Sequence, residues 1–141
     1  MEQILTVSGL KKSYGKVQAV KGISFYVDRG SLFAFLGPNG AGKSTTIDMI
    51  CTLLQPDAGE IVLDGKKIGQ DDDAIRSCIG VVFQDSVLDD LLTVKENLEV
   101  RGSFYGLDKA KLASAINFAV DAAGVGDFLN RPYGKLSGGQ R

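Results

Sequence analysis

The chain has 141 residues, of which 44% are hydrophobic, enough for one globular domain with a core. Its formal net charge is −1, and acidic and basic residues are mixed along it, so it carries no charged surface of the kind that binds nucleic acid. Its apolar runs are shorter than the ~18 residues that span a bilayer, and it does not open with a basic-then-apolar leader. These features predict a cytoplasmic protein.

Strand signals come first along the chain. Two β-rich stretches, ILTVSGLKKSY and VKGISFYV, are separated by turn residues, and the apolar run LFAFL at Leu32–Leu36 predicts a third, buried strand. The glycine-rich segment GPNGAGKST follows, and after it comes a helical stretch through Leu54 that Pro56 closes. This part of the chain is predicted to run strand, glycine loop, helix.

The second half changes from strand signals to helix signals. A short strand is predicted at EIVLDG and another buried strand at IGVVFQ, Ile79–Gln84. Thr93, with Glu96 three residues later, forms a capping box that begins a helix. A second helix is predicted from Asp108 and stops at Gly124, with one apolar face made by Leu112, Ile116, Val120 and Ala123.

The strongest chemical signal is the segment that joins the third strand to its helix. It satisfies the pattern G-x-x-x-x-G-K-[ST] through Gly37, Pro38, Asn39, Gly40, Ala41, Gly42, Lys43 and Ser44. Glycines let the backbone turn so tightly that successive N–H groups face inward, and the helix N-terminus adds a partial positive charge. A chance glycine turn would match in well under ~1% of chains of this length. The segment is predicted to bind the phosphates of a nucleotide.

Two side chains of this loop have predicted roles toward a triphosphate. Lys43 would bridge the β- and γ-phosphate oxygens, and the Ser44 hydroxyl would help to coordinate a Mg²⁺ ion that keeps several waters of its own. The loop does not say which nucleotide hydrolase is present, because GTPases, kinases and ATPases all use it.

Three motifs, taken in order, give the chain a family resemblance. GPNGAGKST matches the Walker A motif, VVFQ the Q-loop and LSGGQR the signature motif of the nucleotide-binding subunits of ATP-binding cassette (ABC) transporters, which the chain resembles from about Leu5 onward. The segments DSVLDDLLTVKENL and FYGL are more similar to the ATPase subunits of drug, polysaccharide or antibiotic exporters than to those of importers. The resemblance implies an ATP hydrolase with ATP and Mg²⁺ as cofactors.

The resemblance also implies the fold, an α/β P-loop NTPase domain of the ABC type that is incomplete in this chain. Residues 1–92 would form a β-rich subdomain and the P-loop core with the Q-loop, 93–135 a helical segment, and 136–141 the signature motif. Next to the antiparallel β part, the strands at Leu32–Leu36 and Ile79–Phe83 would belong to one parallel core sheet, with other strands of the family between them.

The resemblance assigns roles to further side chains. Tyr14 is similar to the aromatic residue whose ring stacks on adenine; the alternative is a strand-end aromatic that covers the core. Gln84 is similar to a glutamine that reaches Mg²⁺ and the attacking water, since an amide oxygen can ligate a metal; the alternative is a polar residue at a strand exit. The implied catalytic residues are Lys43 and Gln84, the metal-binding ones Ser44 and Gln84, and Thr45 joins them in the ATP site.

The signature residues are expected to serve a second copy of the chain. Ser137 and the N–H groups of Gly138 and Gly139, followed by Gln140, would close over the γ-phosphate held by the P-loop of a subunit that faces the first head to tail. The other implied partner is a transmembrane permease subunit. No nucleic acid and no direct membrane insertion are expected, so the protein would lie at the inner face of the cell membrane.

Three further features are predicted to be structural. IVLD at Ile61–Asp64 resembles a Walker B strand, but Gly65 follows it where the family places a catalytic glutamate. The run Asp71–Asp73 is expected to cap a short helix rather than to hold a cation. Cys51 and Cys78 lie far apart with no CxxC pattern nearby, and are expected to be small buried residues.

The family continues past its signature motif with a Walker B strand, a D-loop and a switch histidine, and this sequence has none of them. It contains no histidine at all. The sequence is therefore interpreted as a little over the first half of an ATPase domain. The alternatives are a non-transport cassette protein, such as a DNA-repair or translation factor, and a catalytically dead nucleotide-binding module.

The 141-residue chain by itself is expected to show no ATPase activity above background. Lys43, Ser44 and Gln84 can position phosphates, but no residue of this sequence is assigned to polarise the attacking water. Phosphate release by the purified chain, measured beside a Lys43→Ala variant, tests this expectation. Turnover that the substitution abolishes would contradict it.

Overall fold

The computed structural model describes residues 2–83 and 85–140. The chain divides into two compact units, Met1–Val82 and Phe83–Arg141. The first unit holds a β-sheet with two helices, and the second is built of helices and turns.

The sheet of the first unit is antiparallel, with its strands in the order β2-β1-β3-β4. The strands are β1 (Gln3–Tyr14), β2 (Val17–Asp28), β3 (Ala58–Leu63) and β4 (Lys66–Lys67). A two-residue turn that begins at Gly15 joins β1 to β2, and the φ of 58° at Gly15 is one that glycine adopts without steric cost. The first two β-rich stretches and the later short strand are thus confirmed.

One irregularity in the β1–β2 ladder lies close to the glycine loop. Lys12 pairs with Val20 and the next residue, Ser13, pairs with Gln18, so Ala19 is an extra residue on β2. An extra residue of this kind is a β-bulge, which bends the strand and turns its backbone groups out of the regular ladder. The carbonyl of Ala19 is therefore turned away from the regular β1–β2 ladder, and the glycine loop lies against it.

Two helices and one face of the sheet share the core of the first unit. Helix α1 (Lys43–Ile50) buries Thr46 and Met49, and helix α2 (Asp72–Arg76) buries Ile75. The buried hydrophobic cluster consists of Val7, Leu10, Val20, Met49, Ile61, Ile68 and Ile75. Because members of this cluster come from β1, β2, β3 and α1, burial of their apolar surface holds the glycine loop's helix against the sheet.

The second unit contains two helices with the ends that the sequence predicts. Helix α3 (Val94–Ser103) begins with a complete capping box, in which Thr93 Oγ1 accepts from the Glu96 N–H and the Glu96 carboxylate accepts from the Thr93 N–H. Helix α4 (Lys109–Ala123) begins at the cap Asp108, and Gly124 ends it in the left-handed conformation at φ 64°. Both helix starts and the glycine stop are confirmed.

A buried asparagine ties α3 to the loop before it. Asn97 is 4% exposed; its Nδ2 donates to the carbonyls of Asp89 and Thr93, at 2.9 and 3.1 Å, and its Oδ1 accepts from the Asp89 N–H at 2.8 Å. Every polar atom of the amide is therefore paired, which is the condition for burying it at little cost. The loop that follows position 84 is held to α3 by these bonds, and the hydrophobic cluster of Val94, Tyr133 and Leu136 packs in the same unit.

Both apolar runs that the sequence predicts as buried strands differ in the structure. Leu32–Leu36 and residues 79–83 have no strand assignment; Leu32 is 99% exposed and Val82 100% exposed. A segment is a strand only where a neighbour supplies hydrogen-bond partners, and no parallel strand pair occurs among residues 2–83 and 85–140. The predictions of a buried strand at each run, and of a parallel core sheet, are therefore wrong for this chain.

Three smaller expectations also need correction. Helix α1 ends at Ile50 rather than near Leu54, because Thr52 has a φ of 61°, which a right-handed helix does not accommodate. The acidic run does not cap α2 by its side chains: Asp71 accepts instead from the backbone N–H of Lys67 at 2.9 Å. Cys78 is exposed rather than buried.

No helix in the described part of the chain is both long and apolar enough to cross a membrane.

The acidic residue at the end of β3 is an ion-pair partner. Asp64 accepts from the guanidinium of Arg29 and, at 3.2 Å, from Lys66 Nζ. These hydrogen bonds, that of Arg29 first, lower the pKa of Asp64 below its ordinary value of 3.8. The rejection of IVLD as a Walker B strand agrees with this arrangement, in which Asp64 joins the hairpin turn to the end of β2.

Acid is therefore expected to weaken the fold through Asp64. A carboxylate whose folded pKa is depressed stabilises the fold above its unfolded pKa, and this stabilisation is lost as the pH falls through the folded pKa. Asp64→Asn should thus be less stable than the parent chain at pH 7, with the difference shrinking below about pH 4. Urea unfolding at several pH values measures it, with Asp121→Asn on α4 as the control; a pH-independent difference would contradict the ion-pair explanation.

Candidate nucleotide-binding site

The glycine loop is placed by a close backbone contact with β2. Gly42, the N-cap of α1, has a φ of 82°, and a Cβ there would lie 2.3 Å from the carbonyl oxygen of Ala19. Real Cβ atoms do not approach oxygen so closely, so this position accepts only glycine without a backbone shift. The second glycine of the G-x-x-x-x-G-K-[ST] pattern is thus required both by its own conformation and by the bulge of β2.

The start of α1 presents unpaired N–H groups. The carbonyl of Gly42 accepts from the Thr46 N–H at 2.9 Å and from Thr46 Oγ1 at 2.8 Å, which closes the first turn. No side chain caps this helix, and within the described residues the N–H groups of Lys43, Ser44 and Thr45 have no acceptor. Such orphan donors, at the positive end of the helix dipole, are what an anion binds.

The lysine of the loop is held by the loop itself. Lys43 Nζ donates to the carbonyls of Gly37 at 2.8 Å and of Pro38 at 2.7 Å. An ammonium has three N–H donors, so one remains for a further acceptor. The positive charge is therefore held against the loop by these two carbonyls.

A cavity of about 440 Å³ adjoins this lysine and the start of the helix. Its walls come from the glycine loop, the start of α1, the bulged part of β2 and the segment before the loop. They are formed by Gln18, Ala19, Val20, Lys21, Ile23, Phe35, Leu36, Gly40, Ala41, Gly42, Lys43 and Thr46. Cationic and amide donors line one side, so the cavity suits a negatively charged ligand.

The other predicted residues of the first unit lie around this cavity or beside it. Ser44 is exposed and Thr45 half-buried in the first turn of α1, and Gly37 to Gly40, with Pro38 and Asn39 between them, form the exposed part of the loop. Tyr14 is 52% exposed at the end of β1, and its neighbour Ser13 pairs with Gln18, which lines the cavity. The structure therefore places the strand end that carries Tyr14 next to a strand residue that lines the cavity.

The signature residues form a closed turn in the second unit. Gln140 Oε1 accepts from the Ser137 N–H at 3.1 Å, and the Gln140 N–H donates to the Ser137 carbonyl at 2.9 Å. Leu136, just before the turn, is buried, whereas Ser137, Gly138 and Gly139 are exposed. Gln140 thus shapes the turn, and the N–H of Ser137 is already used within it. Gln84 lies outside the described residues, and its predicted catalytic and metal-binding roles stay predictions.

Sequence reasoning missed two parts of this site. Ala19 and Gln18 belong to a β-strand and carry no chemical signature, yet they form one wall of the cavity. Thr46 is buried and closes the first helical turn with its hydroxyl. Only Thr46 gave a signal that could have been read, because a second threonine inside the helix start is suited to bond the backbone one turn earlier.

Comparison with known sequences agrees with the chemistry of the loop. The profile described as "ABC transporter" matches residues 20–141. Nod factor export ATP-binding protein I of Ralstonia nicotianae is 41% identical over 138 residues, which cover 98% of this chain and 43% of that protein. Daunorubicin/doxorubicin resistance ATP-binding protein DrrA of Streptomyces peucetius is 39% identical over 137 residues, 97% of this chain and 42% of that protein. The chain therefore spans less than half the length of these curated relatives.

Solved structures agree in fold. cbiO1 from Clostridium perfringens, part of the ABC transporter complex cbiONQ, superposes with a TM-score of 0.87 at 30% identity and covers 99% of this chain and 58% of that one. A dimeric ATP-binding cassette in a post-hydrolysis state, bound to ADP and Pi, gives a TM-score of 0.79 at 30% identity, over 96% of this chain and 64% of that one.

The orphan N–H groups, the loop lysine and the adjoining cavity have the chemistry that a phosphate-binding P-loop requires. The chain belongs to the ABC transporter family, and its fold is part of an ATP-binding cassette. The family that the three motifs indicate is thus confirmed, and so is an incomplete cassette fold, apart from the parallel core sheet.

The contact between Gly42 and Ala19 gives a testable difference between two glycines. Gly42→Ala should destabilise the chain and weaken triphosphate binding, because the new methyl group meets the Ala19 carbonyl. Gly40→Ala is a matched control: its φ of 83° carries the same backbone strain of about 1–2 kcal/mol, but nothing lies within 4 Å of the added Cβ. Denaturant unfolding and ligand titration of both variants measure the difference. Equal losses would mean that backbone strain alone is responsible.

Proposed function

We propose that this chain binds ATP, as its Mg²⁺ complex, in the cavity between the P-loop and the bulged part of β2, and that it acts within the ATPase subunit of an ABC exporter. The observation that carries the proposal is the start of α1, where Lys43 lines the cavity and the N–H groups of Lys43, Ser44 and Thr45 have no acceptor among the described residues. The named relatives in Nod factor export and drug resistance support export as the direction of transport.

The residues of the P-loop fit a Mg²⁺ triphosphate. Backbone N–H groups and the third donor of Lys43 would bind phosphate oxygens, and the hydroxyl of Ser44, exposed at the helix start, is an oxygen ligand of the kind Mg²⁺ accepts. Gln84 would be a second ligand. Mg²⁺ would supply neutralisation of phosphate charge, and the chain's own groups would orient the triphosphate.

Two partners and a location complete the proposal. The exposed signature turn of Ser137 to Gln140 would meet the P-loop of a second copy arranged head to tail, and a dimeric cassette bound to ADP and Pi is among the structural relatives. The segment 93–135 would move with closure and carry the docking surface for a membrane permease, with residues 1–92 supplying the nucleotide site. The subunit would then lie at the inner face of the cell membrane, and ATP-driven closure followed by hydrolysis would drive transport.

Substitutions in the two motifs should separate the site's own residues from those serving a partner. Lys43→Ala removes a charged donor and should weaken Mg-ATP binding to the monomer about 10- to 100-fold; Ser44→Ala should weaken it less. Ser137→Ala should leave monomer binding unchanged, because that serine is proposed to serve the opposite site. Calorimetric titration of the three variants tests this. An equal loss in Ser137→Ala would refute the shared site, and no loss in Lys43→Ala would refute the proposed nucleotide site.

A further inference from the structure

The end of β1 that carries Tyr14 is attached to the rest of the first unit by Asp57. Asp57 Oδ1 accepts from Lys12 Nζ at 2.8 Å, and Oδ2 accepts from the backbone N–H of Ser13 at 2.7 Å. Lys12 Nζ also donates to the carbonyl of Gln55 at 2.7 Å, and its side chain is only 15% exposed. Both carboxylate oxygens are therefore engaged, and both partners immediately precede Tyr14.

This attachment lies at the point where β1 is no longer paired with β3. The last β1–β3 pair joins Lys11 to Ala58, and the Asp57 N–H bonds the Lys11 carbonyl at 2.9 Å. Backbone groups two residues apart face the same side of a strand. The Ser13 N–H therefore faces the same side as the Lys11 carbonyl, where β3 no longer supplies a partner. The Asp57 carboxylate accepts this N–H in place of a further residue of β3.

The other side of the same strand end is also irregular. The β1–β2 ladder shifts register between Lys12 and Ser13, at the bulge that contains Ala19. Beyond the bulge, Ser13 and Tyr14 pair only with Gln18 and Val17, next to the turn. The strand end is thus a short hairpin tip beside the P-loop cavity, and on the β3 side it is held by the Asp57 carboxylate and by the bond from Lys12 to the Gln55 carbonyl.

We propose that Asp57 is a positioning residue for the nucleotide base, which fixes the backbone of Lys12 and Ser13 so that the ring of Tyr14 stands where adenine stacks. The inference rests on the proposed function, because it needs ATP in the P-loop cavity with its base toward Tyr14. The hydrogen bonds from Lys12 and from the Ser13 N–H lower the pKa of Asp57, so the carboxylate is ionised at neutral pH. Asp57 would thus affect only the binding of the base, because the phosphates would be bound by the P-loop.

Comparing the affinities for two ligands separates the contribution of the nucleotide base to binding from that of the phosphates. Mg-ATP contacts both regions, whereas inorganic triphosphate with Mg²⁺ contacts the P-loop alone. Tyr14→Ala should lower the affinity for ATP about 5- to 150-fold, the loss of one stacked ring, and leave that for triphosphate unchanged. Asp57→Asn should lower ATP affinity about 3- to 10-fold, since apparent affinity falls by the fraction of time the strand end is misplaced. Its triphosphate affinity should equal that of the parent chain.

A double variant tests whether Asp57 acts through Tyr14. In Tyr14→Ala combined with Asp57→Asn, no ring remains to be positioned, so ATP affinity should match that of Tyr14→Ala alone. Additive losses would overturn the proposal. Lys12→Met, which keeps the Ser13 bond to Asp57, should give a smaller loss for ATP only, and it serves as the second variant where Asp57→Asn folds poorly.

The control is Asp73→Asn, which removes another carboxylate of the same unit, paired with Arg76 at 2.8 Å and away from β1. It should change neither affinity, and all titrations use the full 141-residue chain. Equal loss of ATP and triphosphate binding in Asp57→Asn would overturn the proposal and make Asp57 a general support of the fold. Failure of the proposed function has a different signature, in which Lys43→Ala leaves the binding of both ligands unchanged.

Discussion

The proposed nucleotide site depends on the contact between the Ala19 carbonyl and Gly42. A bulge in β2 points one backbone oxygen at the loop, and only a residue without a Cβ can lie against it. The contact fixes where α1 begins, and with it the direction of the orphan N–H groups at the helix start. Because the same bulge interrupts the β1–β2 ladder at Lys12 and Ser13, the strand end that carries Tyr14 and the phosphate-binding loop share one structural origin.

The sequence predicted best those features whose causes are local. The capping box of Thr93 and Glu96, the cap Asp108 and the left-handed Gly124 each act within one helical turn, and each occurs as expected. The run Leu32–Leu36 was predicted as a buried strand because it is apolar, but burial requires neighbours that composition does not specify. In the described structure no strand pairs with it, and Leu32 and Leu36 are almost fully exposed.

The residues of the candidate site also fall into those that the sequence predicts and those that it does not. The P-loop could be read from spacing because glycine, lysine and serine have distinct chemical roles there. The roles of Ala19 and Asp57 could not be read in this way, since an alanine in a strand has no signature and Asp57 lies 44 positions after Ser13 in the sequence. Asn97 resembles any polar residue of a surface helix until the loop of Asp89 surrounds it. Long-range partners, rather than residue types, define these roles.

The hydrogen bonds of Lys43 to its own loop have a consequence for the energetics of ligand capture. The ammonium has already exchanged much of its water for the carbonyls of Gly37 and Pro38, so an arriving phosphate need not strip a fully hydrated ion. Those carbonyls also bring the first residues of the loop together around the cation. The lysine thus serves as an internal template for the loop, and its third N–H donor is the one that the proposed phosphate would engage.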